Sequence, residues 1–118
     1  MNFRYTMHST KLLSLAGQNL TEIPQEVLEN ACKADVGTVD LSRNNFSTLP
    51  DELHIITKVA DLKLTSNQLT HISEWICEKY KYLQILDLSK NCLESLPSNI
   101  GLLKYLQELN ISFNRYYL

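Results

Sequence analysis

The sequence predicts an α/β solenoid, a curved right-handed superhelix of β-α coils with a parallel sheet on its concave side. Five runs repeat one apolar frame closed by an amide residue: Leu13-Ser14-Leu15-Ala16-Gly17-Gln18, Val39-Asp40-Leu41-Ser42-Arg43-Asn44, Leu62-Lys63-Leu64-Thr65-Ser66-Asn67, Leu86-Asp87-Leu88-Ser89-Lys90-Asn91 and Leu109-Asn110-Ile111-Ser112-Phe113-Asn114. The closing residues stand at 18, 44, 67, 91 and 114, at intervals of 26, 23, 24 and 23 residues. Self-similarity at such a period marks stacked coils, none of which can bury its apolar face alone. Within each run apolar and polar residues alternate, the pattern of a strand with one buried face.

The period divides residues 10–118 into coils 10–35, 36–58, 59–82, 83–105 and an incomplete 106–118. Before them, in residues 1–9, Phe3, Tyr5 and Met7 alternate with Arg4, Thr6 and His8. That stretch reads as an extension or cap, either a strand over the open end or a disordered terminus. In each coil the inward pair is Leu13/Leu15, Val39/Leu41, Leu62/Leu64, Leu86/Leu88 or Leu109/Ile111. Val36, Val59, Leu83 and Leu106 precede the later pairs, and Leu20, Phe46, Leu69, Leu93 and Tyr116 follow the closing residue by two. Each such side chain contributes ~1.5–3 kcal/mol when fully buried.

The convex wall is predicted from a second phrase: Ile23-Pro24-Gln25-Glu26-Val27, Leu49-Pro50-Asp51-Glu52-Leu53 and Leu96-Pro97-Ser98-Asn99-Ile100. Proline suits the first position of a short helix, and acids early in it favour the helix dipole. The longer first coil has room for a true helix over Glu26 to Lys33. The third coil substitutes Ile72-Ser73-Glu74-Trp75-Ile76, where Ser73 is positioned to cap a helix and Trp75 either fills volume or sits exposed.

Asn44, Asn67, Asn91 and Asn114 require a polar account inside an apolar frame. Where each strand ends, the chain turns and leaves backbone groups facing inward. An asparagine amide offers donors and an acceptor to satisfy them within and between coils. The expectation is a structural ladder, with Gln18 interrupting it in an atypical first coil.

These motifs, L-x-x-L-x-L-S-x-N-x-L-x-x-L-P-x-x-I, resemble the intracellular leucine-rich repeat class that includes Ras-pathway scaffolds. The resemblance spans about residues 10 to 118. It implies a non-catalytic domain, with no catalytic residues to transfer, and a fragment or short isoform of a longer solenoid. The fifth coil stops at Arg115-Tyr116-Tyr117-Leu118 before its Leu-Pro wall, and no polar capping helix follows.

Composition narrows the partners. Hydrophobic content of 44% and charged content of 20% fit a folded chain. A net charge of −2 gives no basic excess for nucleic acid or an anionic membrane. No apolar run is long enough to insert in a bilayer, and Met1 to His8 lack the apolar core of a signal peptide. The expected location is therefore intracellular, in the cytoplasm. Cys32, Cys77 and Cys92, odd in number and dispersed, read as free thiols. The acceptor patterns at Asn19, Asn45 and Asn110 are chance products of the repeat.

No cofactor, metal or catalytic site is expected. Ser42, Ser89 and Ser112, with Thr65, recur at one offset, whereas a catalytic serine would be unique and paired with a base. His8, His54 and His71 fit no metal spacing, and Gly17, Gly37 and Gly101 are isolated, so no phosphate loop forms. Exposed strand positions line the concave face, where partners of such solenoids bind. The candidate protein-binding residues are Asp40, Arg43, Asp61, Lys63, Asp87, Lys90, Asn110 and Phe113. Ser42, Ser66, Ser89 and Ser112 are also expected to be exposed there. A central column, Ser14, Asp40, Lys63, Asp87 and Asn110, either meets a charged protein surface or neutralises itself across strands. Trp75, Tyr80 and Tyr82 mark either a convex contact or wall packing.

The expected function is protein binding as an intracellular scaffold, in signalling of the small-GTPase kind. Two alternatives stand beside it: a structural slice that self-associates through its open carboxy-terminal edge, and a regulatory or targeting subunit of an enzyme.

Overall fold

The computed structural model describes residues 6–7 and 11–115. Its sheet begins with the two-residue strand β1 (Thr6–Met7) and continues through β2 (Leu12–Ser14), β3 (Thr38–Asp40), β4 (Asp61–Lys63), β5 (Ile85–Asp87) and β6 (Glu108–Asn110), in sequential spatial order. From β2 to β6 every neighbour is parallel, and β1 pairs antiparallel with β2, Thr6 opposite Ser14 and Met7 opposite Leu13. An added strand therefore does lie at the amino-terminal edge. Phe3, Arg4, Tyr5 and His8, and at the other end Tyr116, fall outside the described residues.

The period-two frame places its apolar residues as expected. Leu13, Leu15, Val39, Leu41, Leu62, Leu64, Leu86 and Leu88 are buried, and so are Val36, Val59, Leu83, Leu20, Phe46, Leu69 and Leu93. They form one continuous core between the sheet and the outer wall. The fifth coil differs: Leu106 and Ile111 are only partly buried and Leu109 is exposed, because a neighbouring coil covers them from one side alone.

The wall is built from α1 (Gln25–Cys32), a 3₁₀ segment at Asp51–Ile55, α2 (Trp75–Lys79) and a second 3₁₀ segment at Ile100–Leu102. Two local expectations are corrected. Pro24 and Pro50 sit one residue ahead of their helices, at ψ 139° and 123°, so they deliver an extended chain to the helix rather than occupying its first turn. Ser73 makes no side-chain cap to α2. Glu74 stands at the cap position, and Ser73 contributes only its carbonyl, which accepts Ile76 N–H at 3.3 Å.

Trp75 and Tyr80 belong to the wall and the core. Tyr80 is fully buried and its hydroxyl donates to Leu53 O at 2.9 Å. Trp75 is half-buried, packs edge-on against Tyr80 at 5.5 Å, and donates its indole N–H to Asp51 Oδ1 at 3.0 Å. Cys32, Cys77 and Cys92 are free thiols.

Candidate protein-binding face

The concave face is assembled by the ends of its strands. Each strand from β2 to β6 is followed by a turn whose last residue before the ladder position is left-handed: Gly17 (φ 71°), Arg43 (55°), Ser66 (59°), Lys90 (56°) and Phe113 (56°). Such a φ disfavours a side chain by ~1–2 kcal/mol, so the turn depends on bonds made elsewhere. The asparagine that follows supplies them. Asn44 accepts Leu20 N–H at 2.9 Å and donates to Leu15 O and Leu41 O at 3.0 Å each. Asn67 accepts Phe46 N–H at 3.1 Å and donates to Leu41 O and Leu64 O. Asn91 accepts Leu69 N–H at 3.0 Å and donates to Leu64 O and Leu88 O. Asn114 accepts Leu93 N–H at 2.9 Å and donates to Leu88 O and Ile111 O. Each amide thus ties its own turn to the coil before it, and adjacent rungs share a carbonyl.

A second device closes the strands. Asp40 Oδ1 accepts Ser42 N–H at 3.0 Å, Asp87 Oδ1 accepts both N–H and hydroxyl of Ser89, and Asn110 Oδ1 accepts both groups of Ser112. This side-chain turn draws the serine inward. Ser42 and Ser89 are consequently buried, 4% and 6% exposed, where the sequence pattern had them on the open face. The Ser89 hydroxyl also lies 2.7 Å from that of Thr65.

The remaining candidate residues fall into two rows. Parallel register sets Leu12, Thr38, Asp61, Ile85 and Glu108 side by side, and next to them Ser14, Asp40, Lys63, Asp87 and Asn110. Both rows are accessible, half-exposed through Ile85 and Asp87 and exposed at Glu108 and Asn110. The ion pair on this face runs along β4, Lys63 Nζ to Asp61 Oδ2 at 3.2 Å, rather than across strands to Asp40 or Asp87. Asp61 Oδ1 is left without a hydrogen-bond partner.

Arg43, Lys90 and Phe113 do not stand on the strands. They occupy the left-handed turn positions along one rim, all exposed, with Lys90 Nζ 6.0 Å from the Phe113 ring centre. The strand face is therefore rich in carboxylates, with Lys63 its one strand cation among the described candidate residues and paired to Asp61, while Arg43 and Lys90 stand on the rim.

Two features of possible chemistry are modest. Burial, assisted by Glu74 and Glu78, pushes the Cys77 thiol above its ordinary range, which makes it a poor nucleophile. Among the described residues no group of three or more His, Cys, Asp or Glu is placed to hold a metal ion, and no helix is long and apolar enough to cross a membrane. Sequence reasoning singled out Tyr82 for a convex contact or wall packing but missed its partner. Tyr82 and Tyr105 stack, with ring centres 6.2 Å apart. Its signal was the phrase Lys-Tyr-Leu-Gln occurring twice, at 81–84 and 104–107.

Stacked coils, a shared amide ladder and an open parallel strand face define a repeat solenoid whose side chains vary freely only where they face outward. The chain belongs to the leucine-rich repeat family, whose model, described as "Leucine rich repeat", matches residues 57–115. It is 35% identical over 106 residues to the plant intracellular Ras-group-related LRR protein 8 of rice, covering 88% of this chain and 28% of that protein. It is 31% identical over 105 residues to Tsukushi-A of Xenopus laevis, covering 86% of this chain and 30% of that one. The chain thus spans less than a third of the length of these relatives.

Among solved structures it superposes on an LRR protein of Leptospira interrogans with TM-score 0.79 and 33% identity, over 91% of this chain and 26% of that one. A chain of the Drosophila melanogaster SNF/U2A′ complex matches with TM-score 0.70 over 97% of this chain and 66% of that one. At 22% identity it speaks to the fold alone. Leucine-rich repeat domains are characteristically non-catalytic and generally act as protein–protein interaction modules.

Proposed function

We propose that this domain is an intracellular scaffold module that binds a protein partner on its concave strand face. One observation carries the reading: the register of β2 to β6 lines up two accessible rows of variable side chains on a rigid, fully laddered frame. Rigid presentation lowers the ordering cost of binding. The contacts assigned to it are Asp40, Asp61, Lys63, Asp87 and Asn110 on the strands, with Arg43, Lys90 and Phe113 on the rim. A carboxylate-rich floor suits a partner that offers cations.

The intracellular, small-GTPase setting is supported by likeness to the plant intracellular Ras-group-related protein of rice. A finer resemblance, to part of leucine-rich repeat-containing protein 40, rests on Ile23-Pro24-Gln25-Glu26-Val27, Val39-Asp40-Leu41-Ser42-Arg43-Asn44, Leu86-Asp87-Leu88 and Asn110-Ile111-Ser112-Phe113-Asn114, with the long first coil and the proline-less His71-Ile72-Ser73 phrase. Titration of a purified Ras-type GTPase, in its GTP and GDP forms, against the chain and its Asp61→Lys/Asp87→Lys variant tests both levels. Nucleotide-dependent binding that the variant loses supports the full reading. Binding that survives the charge reversal in a folded variant refutes the concave face.

A second reading is favoured by the exposure of Leu109 and Phe113 beside β6: self-association through that edge. Light scattering over a range of concentrations tests it, since a mass that never rises with concentration eliminates it.

A further inference from the structure

We propose that the groove between the third and fourth coils, walled by the stacked Tyr82 and Tyr105, docks an acidic peptide segment that carries a bulky apolar side chain. This surface lies off the strand face and is independent of the concave reading.

The repeat makes the groove visible. Asp35, Lys58, Tyr82 and Tyr105 occupy one position, each the last residue of its coil and immediately before the first apolar residue of the next. In the early coils that position is spent internally, because Lys58 Nζ pairs with Asp35 Oδ1 at 3.3 Å. In the later coils it carries tyrosines whose rings stack at 27°. Stacking does not hide them: Tyr82 is 59% and Tyr105 58% exposed, and neighbouring Leu102, from the second 3₁₀ segment, is 52% exposed. Half of the exposed large apolar side chains among the described residues are therefore gathered here. Fold stability does not require that arrangement, and such a patch marks an interaction site.

Charge identifies the occupant. The groove, about 540 Å³, is also lined by Lys81, Lys104 and Glu78, and Lys79 borders the adjoining depression. Three lysines stand against Glu78 and Glu74, whose charge reaches the lining Cys77, which leaves a local positive balance on a chain whose net charge is −2. An apolar floor with a cationic rim is complementary to a peptide whose leucine or aromatic side chain inserts between flanking carboxylates.

Panning a random peptide library against the whole chain is expected to enrich sequences that combine Asp or Glu with Leu, Phe or Trp. Affinity of an enriched synthetic peptide, followed by fluorescence anisotropy, should fall about tenfold or more in Tyr82→Ala/Tyr105→Ala and in Lys81→Glu/Lys104→Glu. It should be unchanged in Asp61→Lys, which separates this groove from the concave face. Amide shift mapping on the unaltered chain gives a readout independent of how the variants fold, and perturbations should centre on residues 77–82 and 102–105. Failure to enrich, enrichment of neutral or basic sequences, retained affinity in both double variants, or shifts on the strand face would each overturn the proposal. So would a concentration-dependent mass that Tyr82→Ala/Tyr105→Ala abolishes, which assigns the groove to a second copy.

Discussion

The carbonyls shared along the asparagine ladder make a quantitative prediction. Leu88 O accepts Asn91 Nδ2 at 3.1 Å and Asn114 Nδ2 at 2.9 Å. Removing one rung leaves that carbonyl its other side-chain donor, but it orphans the N–H that the lost Oδ1 accepted. In Asn91→Ala this is the buried Leu69 N–H. An unpaired buried donor costs ~1–3 kcal/mol, and each weakened carbonyl adds a few tenths, so the expected loss is about 2–3 kcal/mol. Asn114→Ala orphans Leu93 N–H beside the more exposed last coil, where water can substitute, and should cost about 1 kcal/mol.

Removing both takes both side-chain donors from Leu88 O. The double variant should therefore lose about 1–2 kcal/mol more than the sum of the singles. Asn67 and Asn114 share no carbonyl, so their double variant should be additive within about 0.5 kcal/mol. Guanidinium titrations of both cycles, followed by the fluorescence of Trp75, the single tryptophan, and by far-UV circular dichroism, measure the two couplings. Equal couplings in the two cycles, or an Asn91–Asn114 coupling below about 0.5 kcal/mol, would refute the shared-carbonyl account.

Other consequences are simpler. Tyr80→Phe removes a buried donor from Leu53 O, which keeps Ile56 N–H at 3.0 Å, so thermal unfolding should report a loss of about 0.5–1.5 kcal/mol. Burial raises the Tyr80 phenol above its ordinary 10.0, and burial with Glu74 and Glu78 raises the Cys77 thiol above 9.0. The folded chain thus holds protons that the unfolded chain releases. Stability should be undiminished below about pH 9 and fall as pH rises through 9 and 10, and the fall in denaturation midpoints above pH 10 should be less steep in Tyr80→Phe. Lys63→Ala breaks a pair whose lysine side chain is 42% exposed, so its stability cost should stay below about 0.5 kcal/mol even as it alters partner binding. Ser66→Asn places a residue tolerant of positive φ at 59° and should stabilise by a few tenths of a kcal/mol, read as a higher melting temperature.

Much of this molecule was legible in its sequence because repetition turns weak local signals into a strong one. Leu62 and Leu64 are buried, and Asn67 is laddered, for reasons contained in one coil: the period of a strand and the chemistry of an amide at a turn. Five copies in register then set which residues become neighbours, so the column of Ser14, Asp40, Lys63, Asp87 and Asn110 could be written down before any coordinates. The unequal first coil likewise announced α1.

What escaped depended on direction and distance between coils. The sequence shows that Ser42 follows Asp40 by two, yet only the folded turn swings that serine inward onto the carboxylate. Lys63 has Asp40, Asp61 and Asp87 around it in the pattern, and the geometry of one strand chose Asp61. Arg43, Lys90 and Phe113 sit on a rim rather than a floor because the backbone turns left-handed beneath them. Tyr82 was singled out from the sequence, but its pairing with Tyr105, 23 residues on, shows only where stacking brings their rings together. Periodicity alone determined which faces exist and which residues they carry, since it follows from backbone geometry. The partners those residues choose were decided by tertiary structure, because hydrogen bonds, ion pairs and ring contacts are settled over a few ångströms that no spacing in the chain specifies.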